Sequence, residues 1–248
     1  MNKNLKVGVI GFGQMGQIHA GIYNKLPGVD LVAVCEFNDE RRAEAEKEYG
    51  CQTYKNYKDL LENPEIDAVS IVLPDNMHRE AVEIAVANKK HILLEKPLAK
   101  ELADGEAMYE ILKDYDKVFS LGFLLRFDPR FNMIKQRLDA GELGRVYQVL
   151  TRRQGPFPAR ISDVGVVKDL ATHDIDLTAW VAGARYTSVA AQVTHRSGRQ
   201  NEDMMVATGL LEGGIVVSHQ VNWLTPFKER VTIVTGEKGA FVADTLTG

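Results

Sequence analysis

The chain has 248 residues, 45% of them hydrophobic and 26% charged, with a formal net charge of −4 at pH 7, the balance of a soluble protein long enough for one large core or two modest domains. No basic excess offers a footprint for nucleic acid, and no apolar run approaches the roughly 18 residues that cross a bilayer. Met1 to Lys6 leads straight into a strand-like run without an apolar leader, and Cys35 and Cys51 lack metal-ligand spacing, so a cytoplasmic protein with reduced thiols and no bound metal is expected.

In chain order, strand and helix alternate up to residue 122. Val7–Ile10 is a short apolar run ending in glycine, Met15–Leu26 has helical spacing, and Leu31–Cys35 is a second apolar run before the charge-rich stretch Asp39–Tyr49. Ala68–Leu73, Ile92–Leu94 and Val118–Leu121 read as further strands, with helices over Arg79–Ala87 and Asp104–Lys113 between them. Continuous apolar strands separated by helices predict a parallel sheet covered on both faces. The pattern then changes. A helix over Pro129–Ala140 closes at Gly141, Tyr147–Arg153 alternates as a strand, Gly155–Pro158 reads as a loop, and Asp169–Val181 as a helix. Strands follow over Ser188–His195, Asp203–Leu211, Gly214–Asn222, Glu229–Thr235 and Gly239–Asp244, joined by short turns, the signature of an antiparallel sheet. The expected fold is an α/β domain of Rossmann type, residues 1–122, followed by an α+β domain with an open, mainly antiparallel sheet, residues 123–248.

Gly11-Phe12-Gly13-Gln14-Met15-Gly16 follows a strand and opens a helix with the glycine spacing of a dinucleotide fingerprint. Glu36 ends the second strand 20 residues after Gly16, where an acid accepts from ribose hydroxyls and repels a 2′-phosphate. NAD is therefore expected over NADP, although Arg41 and Arg42 lie near. Pro74-Asp75-Asn76-Met77-His78 follows the third strand, at the edge where open α/β sheets bind ligands. Pro74, Asn76 and His78 suit the wall of a cofactor cleft, and Asn76 equally suits a cap on the next helix. Glu95-Lys96-Pro97 ends the next strand. Lys96 fits either a charge that stabilises a forming alkoxide or a solvated turn lysine, and the Lys-Pro bond is a candidate cis peptide.

In the second domain, Asp169 and His173 are four residues apart and share a helix face, with Asp176 three further on. A hydroxyl that gives up hydride must also lose its proton, and histidine is the usual acceptor, oriented by a carboxylate. The same residues also suit an acid-rich helix start with one satisfied histidine. The other histidines, His19 among them, read as structural.

With these residues in hand, the chain resembles the Gfo/Idh/MocA oxidoreductases. The resemblance spans nearly the whole chain: the glycine fingerprint, Pro74 to His78, Glu95-Lys96-Pro97, Gly122-Phe123 with Arg126-Phe127, and Asp169 with His173. It implies a catalytic set of Lys96, Asp169 and His173, a cofactor set that adds Glu95 and Lys96 to the fingerprint residues, a cis proline after the lysine, and homo-oligomers, dimer or tetramer, built on the second sheet. Arg153 to Phe157, Asp163 to Val166, the His173-Asp174-Ile175-Asp176 run and Asn222 to Pro226 are similar to the UDP-N-acetylglucosamine 3-dehydrogenase branch. That likeness implies a nucleotide-sugar substrate contacted by Arg126, Arg153, Arg160 and Asp176, its diphosphate suited by the charges of Arg126, Arg152, Arg153 and Arg160, with a free polyol such as myo-inositol, or NAD binding without turnover, as alternatives. Relatives usually continue with more strands and a terminal helix, so the second domain is expected to be truncated at Gly248.

Overall fold

The computed structural model describes residues 4–158 and 164–247, and Arg160 and Asp163 lie outside the described residues. The chain divides into two compact units, Met1–Gly122 and Phe123–Gly248.

In the first unit, strands β1 (Leu5–Ile10), β2 (Val29–Cys35), β3 (Gln52–Tyr54), β4 (Ala68–Ile71), β5 (His91–Leu94) and β6 (Phe119–Leu121) pair in the order β3-β2-β1-β4-β5-β6, all parallel. That is the doubly wound order of dinucleotide-binding folds. The connecting helices are α1 (Gln14–Tyr23), α2 (Asp39–Tyr49), α3 (Tyr57–Glu62), α4 (His78–Ala87) and α5 (Leu102–Leu112). All four residues of β4 are buried, the sign of a strand covered on both faces. The charge-rich stretch proves to be a helix because of its ends. Asn38 accepts from the Arg41 amide, Asp39 and Glu40 face the positive terminus, and Gly50 closes it in the left-handed region. Helix α1 stops at Tyr23 rather than Leu26, since Leu26 precedes Pro27 and is steered out of the helical region. Strand β3 and helix α3 were not expected. Leu60 and Leu61 of α3 are fully buried, and Gly8 in β1 makes room for Leu60: a Cβ there would stand 2.9 Å from a Leu60 methyl.

The second unit holds α6 (Pro129–Asp139), β7 (Val146–Pro156), a π-helical turn (Val167–Ala171) running into α7 (Thr172–Ala182), and β8 (Tyr186–Thr194), β9 (Met204–Leu211), β10 (Val216–Asn222), β11 (Leu224–Gly236) and β12 (Gly239–Asp244). The sheet runs β12-β11-β7-β10-β9-β8, antiparallel except for the parallel pair β7–β10. Gly155 and Pro156, expected in a loop, extend β7, with Pro156 opposite Leu224 beside a register shift, where a proline is tolerated. Phe131 and Ile134 of α6 and Leu177 and Val181 of α7 join Val149, Val217 and Val234 of the sheet in one buried cluster.

Beneath α7, the buried His219 ring hydrogen bonds with Thr151 Oγ1 at 2.7 Å and with the Tyr186 hydroxyl at 2.8 Å. Burial pushes His219 from its ordinary 6.5 down to about 4. Below pH 6.5 the unfolded chain therefore takes up a proton that the folded chain refuses, so this stability is full above 6.5 and lost as pH falls toward 4. The expected loss over that window is about 3 kcal/mol. Trp180 and Trp223, the chain's two tryptophans, both lie in this unit. Urea unfolding followed by their fluorescence at pH 7 and 4.5 should show a markedly smaller pH effect in His219→Gln than in the parent chain. Equal pH effects in the two proteins would assign the loss elsewhere.

Candidate active site

The register aligns the carboxyl ends of the first sheet. Ile10 lies opposite both Cys35 and Ile71, Ile71 opposite Leu94, and Leu94 opposite Leu121. Gly11, Glu36, Val72, Glu95 and Gly122 therefore emerge side by side, with the reversal of strand order between β1 and β4. Gly11 has φ +93°, and a Cβ there would sit 2.4 Å from the Val72 carbonyl oxygen. A Cβ at Gly16 would sit 1.9 Å from the Gly11 carbonyl oxygen, so the helix start can close onto the strand end only through glycine. Around Gly13 the space is open, with nothing within 4 Å of a Cβ. Gly13 gives α1 no side-chain cap, and the first turn holds no acid. First-turn amides lack intrahelical acceptors, so this loop is a cradle for an anionic group.

Phe12 is 1% exposed and packs edge-on against Tyr49, with centroids 6.1 Å apart. Its amide donates to Glu36 Oε2 at 2.9 Å, and the Asn38 amide donates to Oε1 at 3.0 Å. The carboxylate is thus aimed by the loop it serves, and each oxygen keeps a lone pair for a ribose hydroxyl. Arg42 donates to the Glu36 carbonyl at 2.9 Å and to Asp39 at 2.6 Å, which occupies it where a 2′-phosphate would need it. Cradle, acid and committed arginine fit NAD.

Pro74 and Asn76 are exposed after β4. Asn76 does not cap the next helix, because α4 starts after Met77 with no side-chain cap bond. His78 departs from the expected cleft wall. It is 1% exposed, with Nε2 2.9 Å from the Leu73 carbonyl oxygen and Nδ1 3.0 Å from that of Pro97, so it serves the main chain rather than open space. Glu95 and Lys96 are half-buried, and the Lys96–Pro97 bond is cis.

In the second unit the expected single helix begins as a π turn. Asp169 lies inside that turn, its amide donating to the Gly165 carbonyl at 3.1 Å, and His173 is the second residue of α7. Such turns widen the helix locally and recur at functional sites. A residue outside any recognisable motif holds the turn's start. Glu202 accepts from the Val167 amide at 3.0 Å through Oε1, and its carbonyl accepts from the Val166 amide at 2.9 Å. A Cβ at Gly165 would fall 2.0 Å from the Glu202 carboxylate, so glycine there is what lets the acid reach the helix start. Nothing local in the sequence marks Glu202, which arrives from the β8–β9 connection.

The arginines expected at a diphosphate are committed to carboxylates. Arg126 forms a two-pronged pair with Asp176, Nε donating at 2.9 Å. Arg152 pairs with Glu229 at 3.0 Å. Arg153 pairs with Asp174 at 2.9 Å, where their side chains are 12% and 2% exposed. Burial pushes the Asp174 carboxyl up, against the pull of Arg153 and Arg230. Among the described residues no group of three or more acids, histidines and cysteines could hold a metal, and no helix is long and apolar enough to cross a membrane.

Known proteins share this arrangement. Residues 5–123 match a family described as "Oxidoreductase family, NAD-binding Rossmann fold", and residues 131–242 match the "GFO/IDH/MocA C-terminal domain". The scyllo-inositol 2-dehydrogenase (NAD(+)) of Bacillus subtilis is 35% identical over 77% of this chain and 57% of its own length. The myo-inositol 2-dehydrogenase of Thermotoga maritima is 30% identical over 97% of this chain and 75% of its own. The UDP-N-acetylglucosamine 3-dehydrogenase of Acidithiobacillus ferrooxidans is 32% identical over 87% and 66%. The crystal structure of myo-inositol dehydrogenase from Lactobacillus casei with NAD(H) and myo-inositol superposes with a TM-score of 0.87 and 29% identity, over 96% of this chain and 74% of that one.

Proposed function

The chain belongs to the Gfo/Idh/MocA oxidoreductase family, and from that premise we propose that it is an NAD-dependent dehydrogenase of a ring hydroxyl on a neutral cyclic polyol. The observation that carries the choice of substrate is the neutralisation of Arg126, Arg152 and Arg153 by Asp176, Glu229 and Asp174. A diphosphate needs unengaged cations, whereas a polyol needs hydrogen-bond donors and acceptors without net charge. Two of the inositol dehydrogenases above are of comparable similarity to this chain, which supports the same reading.

The chemistry that NAD supplies when bound is hydride acceptance. In this reading His173 takes the hydroxyl proton on a ring nitrogen, and Asp169 orients that ring. The Lys96 ammonium is suited to donate a hydrogen bond to a substrate oxygen as negative charge builds on it. The outer face of the second sheet exposes Val206, Leu210, Val216 and Val242, at 42–65%, an apolar surface suited to a second copy of the chain in a homo-oligomer.

A second reading, oxidation of UDP-N-acetylglucosamine, draws on the likeness of Arg153–Phe157 and Asn222–Pro226 to that branch and on the Acidithiobacillus relative. NAD reduction, followed by absorbance with myo-inositol, scyllo-inositol and UDP-N-acetylglucosamine offered separately, decides between them. Turnover with an inositol alone is the expected result, and turnover with the nucleotide sugar alone would overturn the polyol assignment.

A further inference from the structure

The turn that carries Lys96 is gripped from two sides by histidines that the proposed chemistry does not use. On one side stands His19 of α1, three residues past the last fingerprint glycine. Its Nδ1 hydrogen bonds with Ser70 Oγ at 2.6 Å, and its Nε2 lies 3.4 Å from Glu95 Oε1. The other Glu95 oxygen accepts from the Lys96 amide at 3.1 Å. The His19 and Glu95 side chains are 12% and 13% exposed, so the contact is largely shielded from water. A Cβ at Gly122 would stand 3.0 Å from Glu95 Oε1, so the end of β6 closes the space into which that carboxylate would otherwise swing. On the far side, the buried His78 ring of α4 reaches the Pro97 carbonyl oxygen at 3.0 Å and that of Leu98 at 3.3 Å, while its other nitrogen holds the Leu73 carbonyl oxygen of the preceding turn.

We infer that His19 and His78 are positioning residues for Lys96, fixing the main chain before and after it, and that they tie it to the two segments flanking the dinucleotide cradle. The inference rests on the reading of Lys96 as the group that meets the substrate oxygen. The physical need is plain: a lysine has four flexible side-chain torsions, so the ammonium is no better placed than the backbone it hangs from. A misplacement on the order of 1 Å costs up to about 100-fold in rate. His19 engages Glu95 only through an imidazole long enough to span from Ser70, a span that asparagine cannot make.

Two measurements test this. The first needs no substrate. In hydrogen exchange of the full chain, His19→Asn and His78→Gln should each speed exchange in peptides covering residues 94–100 by about tenfold, with the rest of the first unit little changed. Unchanged exchange there in His19→Asn, which keeps the buried His78 in place and is the milder change, would overturn the inference even if His78→Gln failed to fold. The second is a double-mutant cycle in NAD reduction with myo-inositol and scyllo-inositol, paired with NAD affinity by fluorescence. Each histidine variant should lower kcat by about tenfold with NAD affinity within about twofold, and should add almost nothing in a Lys96→Met background. An equal loss in both backgrounds would show that the histidines act other than through Lys96. Turnover at the parent rate in Lys96→Met alone would instead remove the catalytic reading of Lys96, a result separate from the exchange measurement.

Discussion

Replacing His173 with alanine should lower turnover by about 100-fold or more while NAD affinity stays within about twofold of the parent chain. The separation follows from where the groups lie. The residues proposed to hold the dinucleotide, the Gly11 loop and Glu36, belong to the first unit, and His173 belongs to α7 of the second. Its loss removes the proposed proton acceptor and leaves the cradle intact. NAD reduction with an inositol, set against a binding titration of NAD, reads both quantities. Undiminished turnover would remove His173 as the base. A parallel loss of NAD affinity would mean that the variant has disturbed more than proton transfer.

The largest effect on stability should come from breaking the Arg153–Asp174 pair. Asp174 directly follows His173, is 1% exposed and faces β7 rather than solvent. Asp174→Ala leaves the Arg153 guanidinium largely buried without its partner, and Arg153→Met leaves a buried carboxylate, each costing about 3–5 kcal/mol. Replacing both together, Arg153→Met with Asp174→Leu, removes both charges and should recover most of that loss. Urea unfolding read by the two tryptophans of the second unit measures all three proteins. A double variant no more stable than the singles would show that the pair contributes packing rather than charge balance.

What the sequence disclosed, and what it withheld, follows from the range of the interactions involved. Gly11 and Gly16 were legible because each answers to backbone a few residues away or to the neighbouring strand end, and glycine spacing records that directly. Glu36 was legible by its distance from the loop, although its bonds to the Phe12 and Asn38 amides were not. The six-residue α3 was missed because Leu60 and Leu61 make too short an apolar signal, and the burial of Leu60 depends on Gly8 in a distant strand. The engagement of the arginines was hidden for the same reason. Positive charges at 126, 152 and 153 look available until the fold brings Asp176, Glu229 and Asp174 to them across 50, 77 and 21 residues. His19 read as structural and His78 as cleft wall, because no local pattern reveals that both rings turn toward the lysine turn.

The parallel pairing of β7 with β10 carries a consequence for the order in which the protein matures. Val149 of β7 meets Val217 of β10, and Leu150 meets Ile233 of β11, so the central strand of the second sheet has no sheet partner until the ribosome has delivered residues far downstream. Helix α7 packs on that strand, and the π turn with Asp169 leads into it. Glu202, which fastens the turn, also arrives late. During synthesis the NAD-binding half can therefore assemble from its own strands early, while Asp169 and His173 gain their fixed geometry only once β10 and β11 have emerged.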